Sequence, residues 1–227
     1  MFYDLHIHSC LSPCGSEDMT VNNIANMAAL KGLEIVALTD HNTVGNCAAF
    51  LAAAERAGLI ALPGMELTTS ENLHAVCLFR DIRGATAFGE YVDSRLPNIK
   101  NRPEIFGRQV LCGENDEMLG EVEKLLLNAA GISLYDLPAL MREYRGIFFP
   151  AHIDKPSYSL LSVLGTAPAD IKIDAFEIFD PKRLDEIIAG NPALAGLPPL
   201  KNSDAHDLQN ISEAVNALDG RIIKLLR

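Results

Sequence analysis

Along most of this 227-residue chain, short apolar runs alternate with segments whose apolar positions recur at helical spacing. Residues 2–8 read as a first strand. Thr20 then stands as the N-cap of a helix that carries Val21, Ile24, Met27 and Leu30 on one face and closes at Gly32. Ile35–Leu38 is continuously apolar, the pattern of a parallel strand covered on both faces. An alanine-rich helix reaches about Ala57 and ends at Gly58. A third strand runs from Ile60 through Leu62 into PGMELTT, and a fourth spans Ala75–Phe79.

The middle of the chain is punctuated differently. From Arg80 to about Asn115 the text is polar (RDIRG, RLPNIKNRPE, LCGEND), which predicts a lid or excursion on a scaffold. Two helices are predicted after it. The first carries Met118, Val122, Leu125 and Leu126 on one face. The second opens with a capping box at Ser133–Asp136 and continues through Leu137, Leu140, Met141 and Tyr144. Ile147–Phe149, Ile173–Phe179 and Leu200 restart the strand series. This alternation predicts an α/β fold on a parallel sheet, open or closed into a barrel, with functional residues where strands end. No repeat or low-complexity segment interrupts it. The length fits a single domain over 1–227 with a loop or helical excursion at about 80–145.

Composition narrows the function classes. A formal charge of −11 and a pI near 4.9 argue against diffuse electrostatic binding to nucleic acid or anionic lipid, so a small substrate is favoured over extended nucleic acid or a membrane. Five irregularly spaced cysteines and a start, MFYDLHIHS, without a basic n-region predict a cytoplasmic setting. No apolar run approaches the ~18 residues that span a bilayer.

All six histidines fall in short polar clusters, most of them just after an apolar strand. His6 and His8 are two apart on a strand, so both side chains point to one face, and Asp4 shares their parity, where it could orient an imidazole from behind. Asp204 and His206 repeat that spacing after the last strand. Asp40 and His41 follow the most apolar strand, and His152 follows IFFPA. Glu66, in PGMELTT, would be costly to bury unless something cationic pairs with it. His74 precedes its strand rather than following it. Imidazole and carboxylate in this distribution point to an inner-sphere metal site.

Taken in order, DLHIHS, TDH, the glutamate of PGMELTT, the histidine before VCLF, PAH and SDAH resemble the motif series of the PHP (polymerase and histidinol phosphatase) family, from Asp4 to His206. The resemblance implies a distorted seven-stranded (β/α) barrel, with a cleft at the C-terminal ends of its strands that holds two or three divalent ions (zinc, manganese or iron). It implies one metal on His6, His8, Glu66 and Asp204, a second on Glu66, His74 and His152 with Glu66 bridging, and a third on His41 and His206. Where relatives complete the third site, this chain reads SCLSPCGSED. Cys14 holds the nearest position, as a thiolate ligand or a free thiol in a turn, with Asp18 behind it. Cys10, Cys47, Cys77 and Cys112 read as small apolar fillers.

The implied activity is phosphate-ester hydrolysis, a metal-activated water attacking a phosphomonoester or nucleotide. Asp204, His206 and His41 are the candidates for handling protons. Asp40 joins Asp4 behind the ligands, and Lys155, Arg183 and Lys201 are candidates for holding the phosphate. Arg102 and Arg108 place the excursion over the cleft or in a packing role. The rival readings are a phosphodiesterase or nuclease acting on short nucleic acid, a hydrolase of carbon–nitrogen bonds, and a metal-holding module without turnover.

Overall fold

A computed structural model describes residues 1–225. The first strand, β1 (Tyr3–Ile7), leads into α1 (Val21–Leu30), β2 (Ile35–Leu38), α2 (Cys47–Arg56) and β3 (Ile60–Thr68). β1, β2 and β3 pair in parallel. Thr20 caps α1, its hydroxyl accepting from the Asn23 amide, a contact worth about 1 kcal/mol. The face that α1 buries is Val21, Ile24, Ala25 and Ala28, while Leu30 stands in solvent.

The sheet then departs from the parallel expectation. β4 (His74–Phe79) runs antiparallel to β3, and β7 (Gly146–Pro150) antiparallel to β4, giving a five-stranded mixed sheet in the order β1-β2-β3-β4-β7. Residues 69–73 are the whole link between β3 and β4. That is too short for the crossover a parallel pair requires.

Between β4 and β7 the chain is more ordered than its polar text suggests. α3 (Ile82–Arg95) packs Ala85, Phe88 and Val92 into the core, and α4 (Pro103–Phe106) follows. The helix predicted over Met118–Leu126 is not formed. β5 (Val110–Cys112) and β6 (Met118–Glu121) make an antiparallel hairpin instead. Its turn is closed by the Gly113 amide on the Glu117 carbonyl, with Asp116 at φ 64°. Apolar residues at 118, 122, 125 and 126 satisfy helical spacing, but the GEND turn decides the local structure. The second predicted helix holds: the Ser133–Asp136 capping box leads into α5 (Leu137–Glu143).

The last third is short-stranded: α6 (Leu160–Leu164), β8 (Phe176–Glu177), α7 (Leu184–Gly190), β9 (Pro199–Leu200) and α8 (Gly220–Leu225). Of the strand predicted over Ile173–Phe179, only Phe176 and Glu177 pair, in parallel with β9. One buried cluster draws Leu5, Ala37, Leu62, Val76, Phe149, Ala175 and Leu200 together, so both sheets share a core. Two seams interrupt the ladder. Between β7 and β8 the Asp174 amide donates to the Phe148 carbonyl and the Ile153 amide to that of Glu177. Between β9 and β1 the Leu5 amide donates to Asn202 Oδ1, and Ile7 bridges Ala205. Among the described residues the strands therefore form a mixed sheet plus smaller ladders, not one closed ring of pairing. No described helix is long and apolar enough to cross a membrane.

Candidate metal centre

Strand ends deliver the histidines to one place. His6 and His8 lie at the end of β1, and His41 follows β2, where it bridges Glu66 of β3. His74 opens β4, and His152 follows β7. Asp204 and His206 follow β9. His152 and Asp204 both adopt positive φ (28° and 53°), a conformation that costs non-glycine residues about 1–3 kcal/mol and persists where surrounding structure enforces it.

Glu66, 1% exposed, sits at the centre. Its Oε1 lies 2.8 Å from His74 Nδ1, 3.2 Å from His152 Nε2 and 3.3 Å from His6 Nε2. Its Oε2 lies 3.1 Å from His41 Nδ1 and 3.4 Å from His8 Nε2. Asp204 Oδ1 adds contacts of 3.4 Å to His6 Nε2 and 3.2 Å to His8 Nε2.

The back of the site fixes which ring nitrogens face inward. His6 Nδ1 meets Glu177 Oε2 at 2.9 Å, so Nδ1–H donates to the carboxylate and the Nε2 lone pair faces the cleft. Ser12 donates its hydroxyl to Asp40 Oδ1 (2.7 Å), so its oxygen is free to accept from His8 Nδ1 (2.9 Å), with the same outcome for His8. The two Nε2 atoms then stand 3.2 Å apart. Two lone pairs so placed repel unless a proton or a cation lies between them. His41 Nδ1, His74 Nδ1 and Asp204 Oδ1 are buried without an aligned hydrogen-bond partner. Aimed, unpartnered donors of this kind fit a metal ion. Three sets bring ligand atoms within 4.8 Å of one another: His6, His8, Glu66 and Asp204; His41, Glu66 and His74; and His8, His41 and His206.

These sets match the implied grouping in part. The first has the four residues expected. In the second, His41 stands with Glu66 and His74, while His152 reaches Glu66 without joining the tight set. His8 belongs to both the first and the third. Cys14 is exposed and outside every set. Asp18 faces solvent at the start of α1.

Asp4 does not touch an imidazole ring. Its carboxylate accepts from the Ser203 and Ser212 amides and so pins the loop that carries Asp204. Asp40 acts on His8 through Ser12, as described. Lys155 enters the cleft, its Nζ 2.6 Å from Asp204 Oδ2. Lys201 instead donates to the Phe179 carbonyl, and Arg183 pairs with Glu186 outside the cleft lining. In the excursion, Arg108 pairs with Glu121 and Glu17, while Arg102 lies over the Phe106 ring. Neither arginine lines the cleft.

Glu177 was missed in the sequence, although AFEIF carries the signal that marked Glu66, a carboxylate inside an apolar strand. It also accepts from the His152 amide and from Asn202 Nδ2. Tyr158 was missed for want of any local signal. Its ring stacks on His74 with centroids 4.9 Å apart and lines the cleft. The cleft itself is about 170 Å³. A larger cavity of about 350 Å³ lies at the opposite end of β7, among Arg80, Arg142, Arg145 and Lys172, with no such ligand set.

Without metal, protons hold the cluster together. Burial alone would lower the pKa of His8, but hydrogen bonds to Asp204 and Glu66 raise it to about 9. Burial likewise opposes the charge of His41, and the carboxylate of Glu66 raises it to about 9. Glu66 is itself held well below the usual range: burial favours its neutral form, and the surrounding imidazoles outweigh it. His206 is pushed down to about 3 by burial and by the neighbouring His8, so it is neutral at pH 7. The sign follows. Both His8 and His41 have folded values above the ordinary 6.5, so their contribution to metal-free stability is complete below about 6.5 and is lost as pH rises through about 9. Metal must displace those protons. Calorimetric titration of zinc at pH 7.5 in buffers of different ionisation enthalpy is expected to show proton release, with apparent affinity rising between pH 6.5 and 9. Affinity that does not vary across that range would contradict the protonation scheme.

Comparison with known proteins places this geometry. Over 83 residues the chain is 36% identical to an error-prone DNA polymerase of Symbiobacterium thermophilum, a stretch covering 37% of this chain and 8% of the polymerase. Its fold is similar to that of a lesion-specific endonuclease, endonuclease Q, from Pyrococcus furiosus (TM-score 0.61, 23% identity), over 91% of this chain and 48% of the endonuclease. A protein of Bifidobacterium adolescentis described as a metal-dependent phosphoesterase superimposes with a TM-score of 0.64 at 18% identity, over 99% of this chain and 94% of that one. The chain thus spans less than half the length of the polymerase and of the endonuclease. The PHP domain family model matches residues 4–149, from Asp4 beside the first histidine pair to the end of the strand before His152, and by that match the chain belongs to the PHP domain family.

Proposed function

We propose that this chain hydrolyses phosphate esters with two or three divalent cations (zinc, manganese or iron) held by the three ligand sets. The observation that carries the reading is the meeting of five imidazoles on the two oxygens of one buried carboxylate, beside a lysine in an open cleft. Bound cations would supply Lewis-acid charge for the phosphoryl oxygens and a water acidified toward pH ~7. The chain's own residues supply the rest. Lys155, tethered by Asp204, is placed to pair with a phosphoryl oxygen. Asp204 stays ionised, because His6 and His8 outweigh the effect of its burial. His206 donates through Nδ1 to the Asp204 carbonyl, so its Nε2 would hold the third cation or, with only two cations bound, be free to take a proton. His41 belongs to the second ligand set as well as the third, so with two cations bound its ring is occupied and His206 is the free imidazole of the pair. The same reading takes the seven main strands as a distorted barrel closed across the two seams, with 1–227 acting as one domain.

A specific observation favours a second reading. Endonuclease Q has been crystallised with a 27-mer duplex carrying an abasic lesion at its active site. Extended nucleic acid is therefore not excluded as a partner by the net charge of −11 alone. Assays on an aryl phosphate, an aryl phosphodiester and a short oligonucleotide separate the two. We expect metal-dependent turnover of the monoester, abolished by chelation and restored by manganese or zinc. Cleavage of the oligonucleotide alone would favour the nuclease, and no turnover with any divalent metal would favour a metal-holding module.

Cys14→Ser is expected to weaken one cation by roughly 10-fold and leave the others unchanged, since a hydroxyl is a poorer ligand than a thiolate. Chelator competition measures it, and unchanged affinities would remove Cys14 from the site.

A further inference from the structure

Two cysteines read as apolar fillers lie against each other. Cys10, in the loop after β1, and Cys112, in β5, are 102 positions apart in sequence, with their sulfurs 3.2 Å apart and both side chains buried. The backbones around them are already at strand-pairing separation: the Val110 amide donates to the Cys10 carbonyl at 3.0 Å. Val110 lies two residues before Cys112, and a disulfide needs the sulfurs at about 2.05 Å, so an approach of about 1 Å from 3.2 Å closes the pair. Asn46 fixes the frame. Its Nδ2 donates to Ser9 Oγ and to the Val110 carbonyl, and its Oδ1 accepts from the Cys112 amide. Cys47, by contrast, donates to the carbonyls of Leu38 and Gly64.

We propose that Cys10 and Cys112 form an oxidation site, closing to an intramolecular disulfide with hydrogen peroxide as the oxidant. One thiol attacks the peroxide O–O bond, giving a sulfenic acid and water. The second sulfur then displaces the sulfenic oxygen, which leaves as a second water. The two sulfurs lose two electrons in all, and one peroxide is reduced to two waters. The new bond staples the β5–β6 arm to the loop carrying Ser9 and Ser12, the residues that hold Asp40 and so back His8. A cross-link over so long a loop removes much freedom from the unfolded chain. The pair stands apart from the metal cleft, so the proposal does not depend on the activity assigned there.

The test uses zinc-loaded full-length protein treated with hydrogen peroxide, alkylated and digested without reductant. Mass spectrometry is expected to find one peptide linking Cys10 to Cys112, lighter by two hydrogens than its parts. The melting temperature should rise by roughly 10 °C and fall back with dithiothreitol. Cys112→Ser should lose both signals, and Cys14→Ser should keep them, which shows that the exposed thiol is not the intermediary. If Cys112→Ser folds poorly, alkylation mapping of the wild-type protein decides alone. Both thiols still alkylated after peroxide, or a linkage running through Cys14, would overturn the proposal.

Discussion

Glu66→Gln is expected to lower phosphate-ester hydrolysis at least ~10³-fold and to empty the two ligand sets that share this side chain. The substitution preserves volume and one oxygen, so the packing around a residue that is 1% exposed survives. What disappears is the only charge that both Oε1 and Oε2 present to His6, His8, His41, His74 and His152. In the metal-free protein the same carboxylate raises His41, so the variant should also bind fewer protons near neutral pH. Metal content per chain, circular dichroism and turnover of an aryl phosphate should be measured together. A folded variant with wild-type metal content and rate would refute the role given to Glu66.

Glu177→Gln is expected to weaken metal binding by about 10–100-fold, although Glu177 belongs to none of the ligand sets. Its Oε2 accepts from His6 Nδ1–H and so leaves Nε2 facing the cleft, while Oε1 accepts from the His152 amide. An amide in its place can accept one of these bonds, but it carries no charge to favour the Nδ1–H form. At saturating metal, turnover should recover most of its wild-type value, which separates a positioning role from a direct one. Unchanged affinity by chelator competition would show that the His6 tautomer is set elsewhere.

The parts of this account that were legible in the sequence have a common cause. A continuously apolar strand followed at once by a polar, metal-capable residue has few places to put that residue except the strand's end. Hence His6, His8, His41, His152 and Asp204 announce themselves locally. α1 and α2 were equally clear because cap and period agree, Thr20 for one and Gly58 for the other. Two failures came from giving periodicity more weight than the short link and the turn beside it. Whether β4 runs parallel or antiparallel depends on the length of a link, and the spacing at 118–126 fits two conformations that only the turn at Asp116 separates. The partition of ligands was beyond local reading. His8 serves two sets because its ring stacks 4.2 Å from that of His206, a contact made across the ends of β1 and β9. Glu177 could have been read from its apolar surroundings. Asp4 could not have been read as a clamp on the Ser203 and Ser212 amides, since those partners lie about two hundred positions away.

The most direct measurement is anomalous diffraction from crystals grown with zinc or manganese. Peaks between the Nε2 atoms of His6 and His8 and the carboxylates of Glu66 and Asp204, and again beside His41 and His74, are what the arrangement requires. Metal bound only at the surface, with these imidazoles still hydrogen-bonded to one another, would mean that the cluster is a buried polar network and that its hydrolytic chemistry must be abandoned.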